Sequence, residues 1–328
     1  MESKYRYSMG VTQLGKLCDR FVTEGYRESK PLKDRVKEIA KIKIFDGISI
    51  GYPSEINEKN YREIVKLVSY CGLVISSIAT SISSQRRWSR GALTSLDPST
   101  RRQAIDIIKG GMDMAKEVKT DRIMFFLGQE GNDYPFGIDY SQAWDYLVIG
   151  LRECAKYRPE IKICIEYKRS EPRKNILIGS AAELILLLKE INMQNVGILL
   201  DMGHALFGRE NPAQSLTLIN RYKKLFHIHF NDNYGLEDDD LVVGSVHFLQ
   251  YLEFMYWLEK IQYKDWLELD IFPYREDPLR AFEESVLFLH DMERILEKIG
   301  VEKLQGFIER RKPIEAFSFI RRNVFETI

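Results

Sequence analysis

Four apolar runs of this chain each close on a residue able to hold a cation: Ile165-Glu166, Leu200-Asp201, Ile228-His229 and Leu269-Asp270. An ionised carboxylate at the end of such a run is costly to bury unless it is paired or bound to a metal. Three carboxylates with one imidazole make an oxygen-rich set that suits manganese, cobalt or magnesium better than a thiolate-seeking metal. Glu166, Asp201, His229 and Asp270 are therefore the expected ligands of a first divalent cation.

A second set follows from spacing. His204 closes the run Asp201-Met202-Gly203-His204, and Asp238-Asp239-Asp240 follows His229 on what reads as a loop. Asp201 could bridge two cations, with His204, Asp238 and Asp240 completing the second seat. Paired cations about 3.5–4 Å apart clamp two substrate oxygens and stabilise the charge that develops between them. Taken singly, each residue has an ordinary role: a strand-end Asp caps a helix, a lone His is structural, and a D-D-D run is a solvated loop. Their grouping at consecutive strand ends is what points to metal chemistry. Side chains alternate along a strand, so His227 shares a side with His229 and Glu268 with Asp270. The outer member of each pair is taken as the ligand, and His227 is expected in a deeper layer. His247 and His290 fall in expected helices and read as structural.

The elements that must position these groups are eight short runs rich in β-branched or aromatic residues: 7–11, 47–50, 73–78, 122–126, 161–166, 196–201, 225–230 and 266–271. Segments with a helical period separate most of them, most visibly 58–70, 99–118, 140–157, 180–191 and 246–261. Strict alternation implies parallel strands with crossover helices. Eight such units favour an α/β fold of the closed (β/α)₈ TIM-barrel kind, whose active site lies at the C-terminal ends of the strands. Two helix starts are explicit, Asp97-Pro98 and Ser180 with Glu183 three positions on. The expected division is a barrel over residues 1–300 and a C-terminal helical extension over 301–328. That last stretch, with Phe307, Phe317 and Phe319, reads either as a helix packed on the barrel or as an arm reaching a neighbouring subunit.

At 328 residues, with 45% hydrophobic and 29% charged, the chain has the composition of a folded protein with a large core. Lys+Arg and Asp+Glu both number 48, so no global field draws in nucleic acid or an anionic membrane. The four cysteines are widely spaced with no CxxC pair, consistent with reduced thiols and a cytoplasmic location. No secretory signal and no apolar run of membrane-spanning length is read. The expected partner is a small-molecule substrate.

Several fragments, in order, resemble the xylose isomerase superfamily from about Leu93 to Glu276. Ile165-Glu166-Tyr167-Lys168 followed by Glu171-Pro172-Arg173 is similar to its E-P-K-x-x-E-P-R segment. Asp201-Met202-Gly203-His204 resembles its E/D-x-G-H motif, Phe226-His227-Ile228-His229-Phe230-Asn231 its H-I-D-L-N, and Asp238-Asp239-Asp240-Leu241 the following D-x-D-L. Leu269-Asp270-Ile271-Phe272-Pro273 resembles F-D-F-K-P. Upstream, Thr94-Ser95-Leu96-Asp97 and Gly128-Gln129-Glu130-Gly131 are similar to T-S-N-D and G-G-R-E-G. Asp at 201 and His at 229 bring the pattern closest to the L-rhamnose isomerase variant.

The resemblance implies a homo-oligomer, dimer or tetramer, with two divalent cations on the two sets named above, acting on a sugar. It implies a 1,2-aldose–ketose isomerisation by hydride shift, with Lys168, Glu166 and Asp270 as catalytic residues and Lys168 hydrogen-bonding the open-chain carbonyl oxygen. Phe126, Trp88, His204 and Lys168 are the implied substrate contacts. No histidine occurs before position 204, and strand two ends Ile50-Gly51-Tyr52-Pro53, so the family's ring-opening histidine has no counterpart. A ketose 3-epimerase or sugar-acid isomerase using one metal with carboxylate acid and base is the alternative. A non-catalytic sugar-binding subunit is a further reading. An AP-endonuclease-like DNA enzyme is disfavoured by five histidines and zero net charge.

Overall fold

β1 (Arg6–Gly10), β2 (Gly47–Tyr52), β3 (Val74–Thr80), β4 (Arg122–Phe126), β5 (Lys162–Glu166), β6 (Val196–Asp201), β7 (Leu225–Phe230) and β8 (Trp266–Leu269) pair in chain order, and β8 returns to β1 to close the barrel. All eight barrel pairings are parallel, with closure made by Arg6 opposite Trp266 through Met9 opposite Leu269. The computed structural model describes residues 3–325, so residues 326–328 of the expected extension lie outside it.

Crossovers run through α1 (Leu32–Ile42), α2 (Tyr61–Tyr70), α3 (Pro98–Glu117), α4 (Tyr140–Tyr157), α5 (Ala181–Ile191), α6 (Met202–Phe207), α7 (Pro212–Arg221) and α8 (Phe248–Lys260), and α9 (Pro278–Ile299) follows the last strand. Their starts follow capping chemistry. Asp97 accepts from Ser99 N and Thr100 N with Pro98 beside it, Asp139 caps α4, Ser180 caps α5, and Asp277 caps α9. Each cap contributes about 1 kcal/mol. Glu183 completes the reciprocal bond of α5 one residue earlier than a capping box requires, at Gly179 N (2.7 Å). α3 buries Ala104, Ile105, Ile108, Met112 and Ala115, the stripe its period demands.

Strand boundaries match the sequence reading to within two residues, the largest differences being at the ends of β2, β3 and β8. β8 ends at Leu269, so Asp270 stands just past the strand, its backbone N–H bonded to Phe230 O (3.1 Å). His247 occupies the N-cap position of α8 rather than its interior, because Asp232 accepts from its backbone N–H and its ring (2.7 Å). Two further two-residue strands, Gly131–Asn132 and Asn175–Ile176, pair antiparallel over the mouth and are too short to leave a periodic signal.

Beyond Gly300, with φ +80°, α10 (Val301–Glu309) and α11 (Pro313–Phe325) fold back on α9. Leu304 is buried, Phe319 and Ile320 pack on the core, and the Phe307 and Phe319 rings lie 5.6 Å apart. The C-terminal segment is thus a helical layer on the barrel. Cys154 and Cys164 are buried thiols, Cys18 is exposed, and all four cysteines are free. Among the described residues no helix is long and apolar enough to cross a membrane.

Candidate metal centre

The four candidate ligands come from different rungs of the staggered barrel, with Glu166 opposite Leu199 and Asp270 following Leu269, which is opposite Phe230. Asp201 sits opposite His229 in the β6–β7 ladder, and His229 opposite Glu268 in β7–β8. Glu166 and Asp201 end their strands, and Asp270 follows β8 immediately. One ligand atom from each of Glu166, Asp201, His229 and Asp270 lies within 4.8 Å of all the others. The imidazole turns Nδ1 into the group, 3.0 Å from Glu166 Oε1, 3.3 Å from Asp270 Oδ2 and 3.8 Å from Asp201 Oδ2.

Glu166, Asp201 and His229 are buried and Asp270 is half-buried. Three carboxyls thus face a single imidazole in a place of low water access, and the ionisation of the group reflects that excess of acid. Burial, with the Glu166 and Asp238 charges, pushes Asp201 up to about 7. Burial and the neighbouring Asp238 and Asp270 push Asp240 well above the usual carboxylate range. Burial also opposes charge on His204, yet the surrounding carboxylates outweigh it and raise the ring to about 10; His229 is raised by the same opposition. The set has the donor chemistry of a hard divalent-cation seat, where the cation supplies the positive charge that protons otherwise provide.

His204 reaches this place because Asp201 also caps α6: Asp201 Oδ1 accepts from His204 N (2.8 Å), so the chain turns into a helix directly at the ligand. Gly203 is required in that turn, since a Cβ there would collide with the Asn231 amide. The His204 ring donates Nδ1–H to Tyr167 O (3.0 Å), which aims Nε2 at Asp238 Oδ2 (3.0 Å). Lys168 Nζ bonds the same oxygen at 2.6 Å and Glu171 at 3.1 Å. Asp238 Oδ1 is buried with no hydrogen-bond partner, an acceptor open to a cation. Asp240 adopts φ +49° and joins through its charge. Among the described residues, the second set meets pairwise and does not close to the mutual 4.8 Å spacing of the first.

Phe126 lines the site, its ring 6.0 Å from that of His204 and 5.6 Å from Lys168 Nζ. Trp88 does not. It is fully buried in the core and offers no face to a ligand, which corrects the expectation that it touches substrate. Two contributors were not anticipated. Asn231 Nδ2 donates to Asp201 Oδ2 (2.8 Å), and its place two residues past His229 was the available signal. Gln13, just past β1, donates Nε2 to Asp270 Oδ1 (2.7 Å), with Gly10 leaving room for its side chain. No local pattern marks Gln13.

Beneath the ligands, His227 Nε2 donates to Glu268 Oε2 (3.0 Å), so the inner member of each alternating pair does form a deeper layer. Above them a cavity of about 1000 Å³ opens, lined by Phe21, Glu171, Arg173, Asp238, Phe272 and Tyr274 among others.

The family description "Xylose isomerase-like TIM barrel" matches residues 36–292. The xylose isomerase of Thermus thermophilus is 22% identical over 255 residues, 74% of this chain and 66% of that relative, so the match spans just under two thirds of the relative's length. The D-psicose 3-epimerase of Clostridium cellulolyticum H10, solved with D-tagatose, superposes with a TM-score of 0.69 at 17% identity, covering 88% of this chain and 99% of that one. The 3-keto-D-glucoside 4-epimerase of Escherichia coli gives 0.68 at 17% identity, covering 88% and 99%. At these identities the structural likeness is one of fold.

Proposed function

This chain belongs to the xylose isomerase-like TIM-barrel family, and from that premise we propose that it is a divalent-cation-dependent sugar isomerase interconverting an aldose and a ketose. The observation that carries the reading is the convergence of Glu166, Asp201, His229 Nδ1 and Asp270 within 4.8 Å at the mouth, next to a Lys168–Asp238–His204 triplet. Glu166, Asp201, His229 and Asp270 would hold one cation, and Asp201, His204, Asp238 and Asp240 the second. Such cations supply Lewis-acid polarisation of adjacent substrate oxygens.

The chain's own groups do the rest. Lys168 holds the carbonyl oxygen of the open sugar, its ammonium kept charged by Asp238 against the cost of burial. Phe126 offers an apolar wall beside Lys168 and His204. The hydrogen on C2 moves with its electron pair to C1, while the proton lost from O2 returns to O1, so atoms and electrons balance without an external redox partner.

A ketose or keto-sugar epimerase is the second reading. It is favoured by the looser, pairwise meeting of His204, Asp238 and Asp240, and by structural neighbours that are a D-psicose 3-epimerase and a 3-keto-D-glucoside 4-epimerase. There Glu166 and Asp270 would remove and return a proton at one carbon. Incubation of the Mn²⁺-loaded chain with single aldoses and ketoses in D₂O, followed by NMR, separates the two. Aldose–ketose exchange without deuterium uptake supports the isomerase, whereas inversion at one carbon with deuterium incorporation supports the epimerase.

A further inference from the structure

Interiors of closed barrels are ordinarily filled by layers of Val, Ile and Leu. Directly below the ligand cluster this barrel instead buries Ser8, Ser49, Arg122, His227 and Glu268, each at 3% exposure or less. Ionisable groups at that depth are destabilising unless every polar atom is matched, so their arrangement calls for a role.

The hydrogen bonds of this column have a direction. Arginine has donors and no acceptor. Arg122 is held at the barrel floor by Asp121 (2.7 Å) and Asp265 (2.8 Å), and its Nη1 meets His227 Nδ1 at 3.4 Å. His227 Nδ1 is therefore the accepting nitrogen, and the ring's proton sits on Nε2, which donates to Glu268 Oε2 (3.0 Å). Ser8 adds a second bond to Oε2 (3.1 Å), and Ser49 donates to Oε1. Clamped from three sides, the carboxylate presents Oε1 to His229 Nε2 at 3.8 Å, a buried nitrogen with no hydrogen-bond partner. The opposite nitrogen of the same ring, Nδ1, is the one that faces Glu166, Asp201 and Asp270.

We propose that Glu268 is a positioning residue for the cation: its clamped carboxylate keeps the proton of His229 on Nε2 and the ring upright, so that the Nδ1 lone pair is directed at the ligand cluster. The inference rests on the metal reading of that cluster and assigns its control to a residue that touches neither cation nor substrate. Partners of this kind commonly change metal affinity by about 10- to 100-fold.

The test is the Mn²⁺ affinity of the chelator-stripped full chain by titration calorimetry, with apo thermal melting recorded alongside. Glu268→Gln keeps the volume but removes the charge and offers an amide N–H to His229 Nε2, so the Kd should rise at least about 10-fold while the apo melting curve stays within a few degrees of wild type. A Glu268→Gln chain that binds Mn²⁺ within about twofold of wild type overturns the proposal. If Glu268→Gln does not fold, the Ser8→Ala/Ser49→Ala chain, which keeps the charge but loosens the clamp, should show a Kd raised about threefold or more, and an unchanged Kd overturns the proposal equally. A wild-type chain that binds no Mn²⁺ removes the metal reading itself, an outcome distinct from intact wild-type binding with insensitive variants.

Discussion

Asp201 serves two structures at once: its Oδ2 points to the His229 side of the mouth, and its Oδ1 caps the helix that carries His204, 2.8 Å from the His204 backbone nitrogen. The strand end and the helix start are the same residue, so the two expected cation seats share one rigid corner. Asp201→Asn keeps the cap acceptor but loses the charge. It should retain the fold by circular dichroism yet lower the number of Mn²⁺ ions bound and abolish sugar turnover by at least about 100-fold, since charge on the ligand set is what a cation requires.

Gly203 stands in that corner with the Asn231 amide where its Cβ would be. Gly203→Ala should destabilise the fold by about 1–3 kcal/mol through overpacking. Because Asn231 also bonds Asp201 Oδ2 at 2.8 Å, it should weaken cation binding as well. Urea unfolding and calorimetry measure the two effects separately, and stability equal to wild type would contradict the steric account.

Lys168 bridges Asp238 and Glu171 and stands 5.6 Å above the Phe126 ring. In its proposed role as donor to the reacting carbonyl oxygen, it should be worth about 10²–10³ in kcat, so Lys168→Met should lose that much with Mn²⁺ affinity retained. A loss confined to KM would assign Lys168 to binding alone.

At the opposite end of the barrel, burial opposes ionisation of Asp121, but Arg122 and Lys162 outweigh it and hold its carboxyl down to about 2, against 3.8 for an ordinary Asp. A depressed folded-state pKa gives stability that is present above the unfolded value and lost as pH falls through the folded one. The stability difference between wild type and Asp121→Asn should therefore be full above about pH 4 and close as the pH drops toward about 2. Urea melts across that range check it, and a difference independent of pH would point to packing rather than charge.

The barrel and the first candidate ligand set were legible because Val196–Asp201 and Lys162–Glu166 end on a single carboxylate, while His227/His229 and Glu268/Asp270 alternate along the apolar runs of the last two strands. The same parity identified His227 and Glu268 as inward neighbours of the ligands. What they bond to was not legible, because Ser8, Ser49 and Arg122 meet them across the barrel through register, which no local spacing encodes. Gln13 escaped for the same reason, being 257 positions from its partner Asp270. Trp88 misled because an aromatic near a mouth motif has the same sequence signature whether it stacks on a ligand or fills the core, and here it fills the core.

Metal removal should act on stability as well as turnover. A cation that binds only the folded chain stabilises it by RT ln(1 + [L]/Kd), about 2.7 kcal/mol at one hundred times Kd. The melting temperature should climb with added Mn²⁺ and fall back with chelator, and a melting temperature indifferent to both would count against the seat.

The most direct measurement is sugar exchange by NMR on one preparation, first stripped by chelator, then reloaded with Mn²⁺, Co²⁺ or Mg²⁺, with bound metal counted at each stage. Aldose–ketose exchange that vanishes with the metal, returns with it, and is absent from His229→Gln at every stage is the predicted result. Exchange that persists in the metal-free chain, or survives in His229→Gln, would contradict the assignment of Glu166, Asp201, His229 and Asp270 as the catalytic cation site.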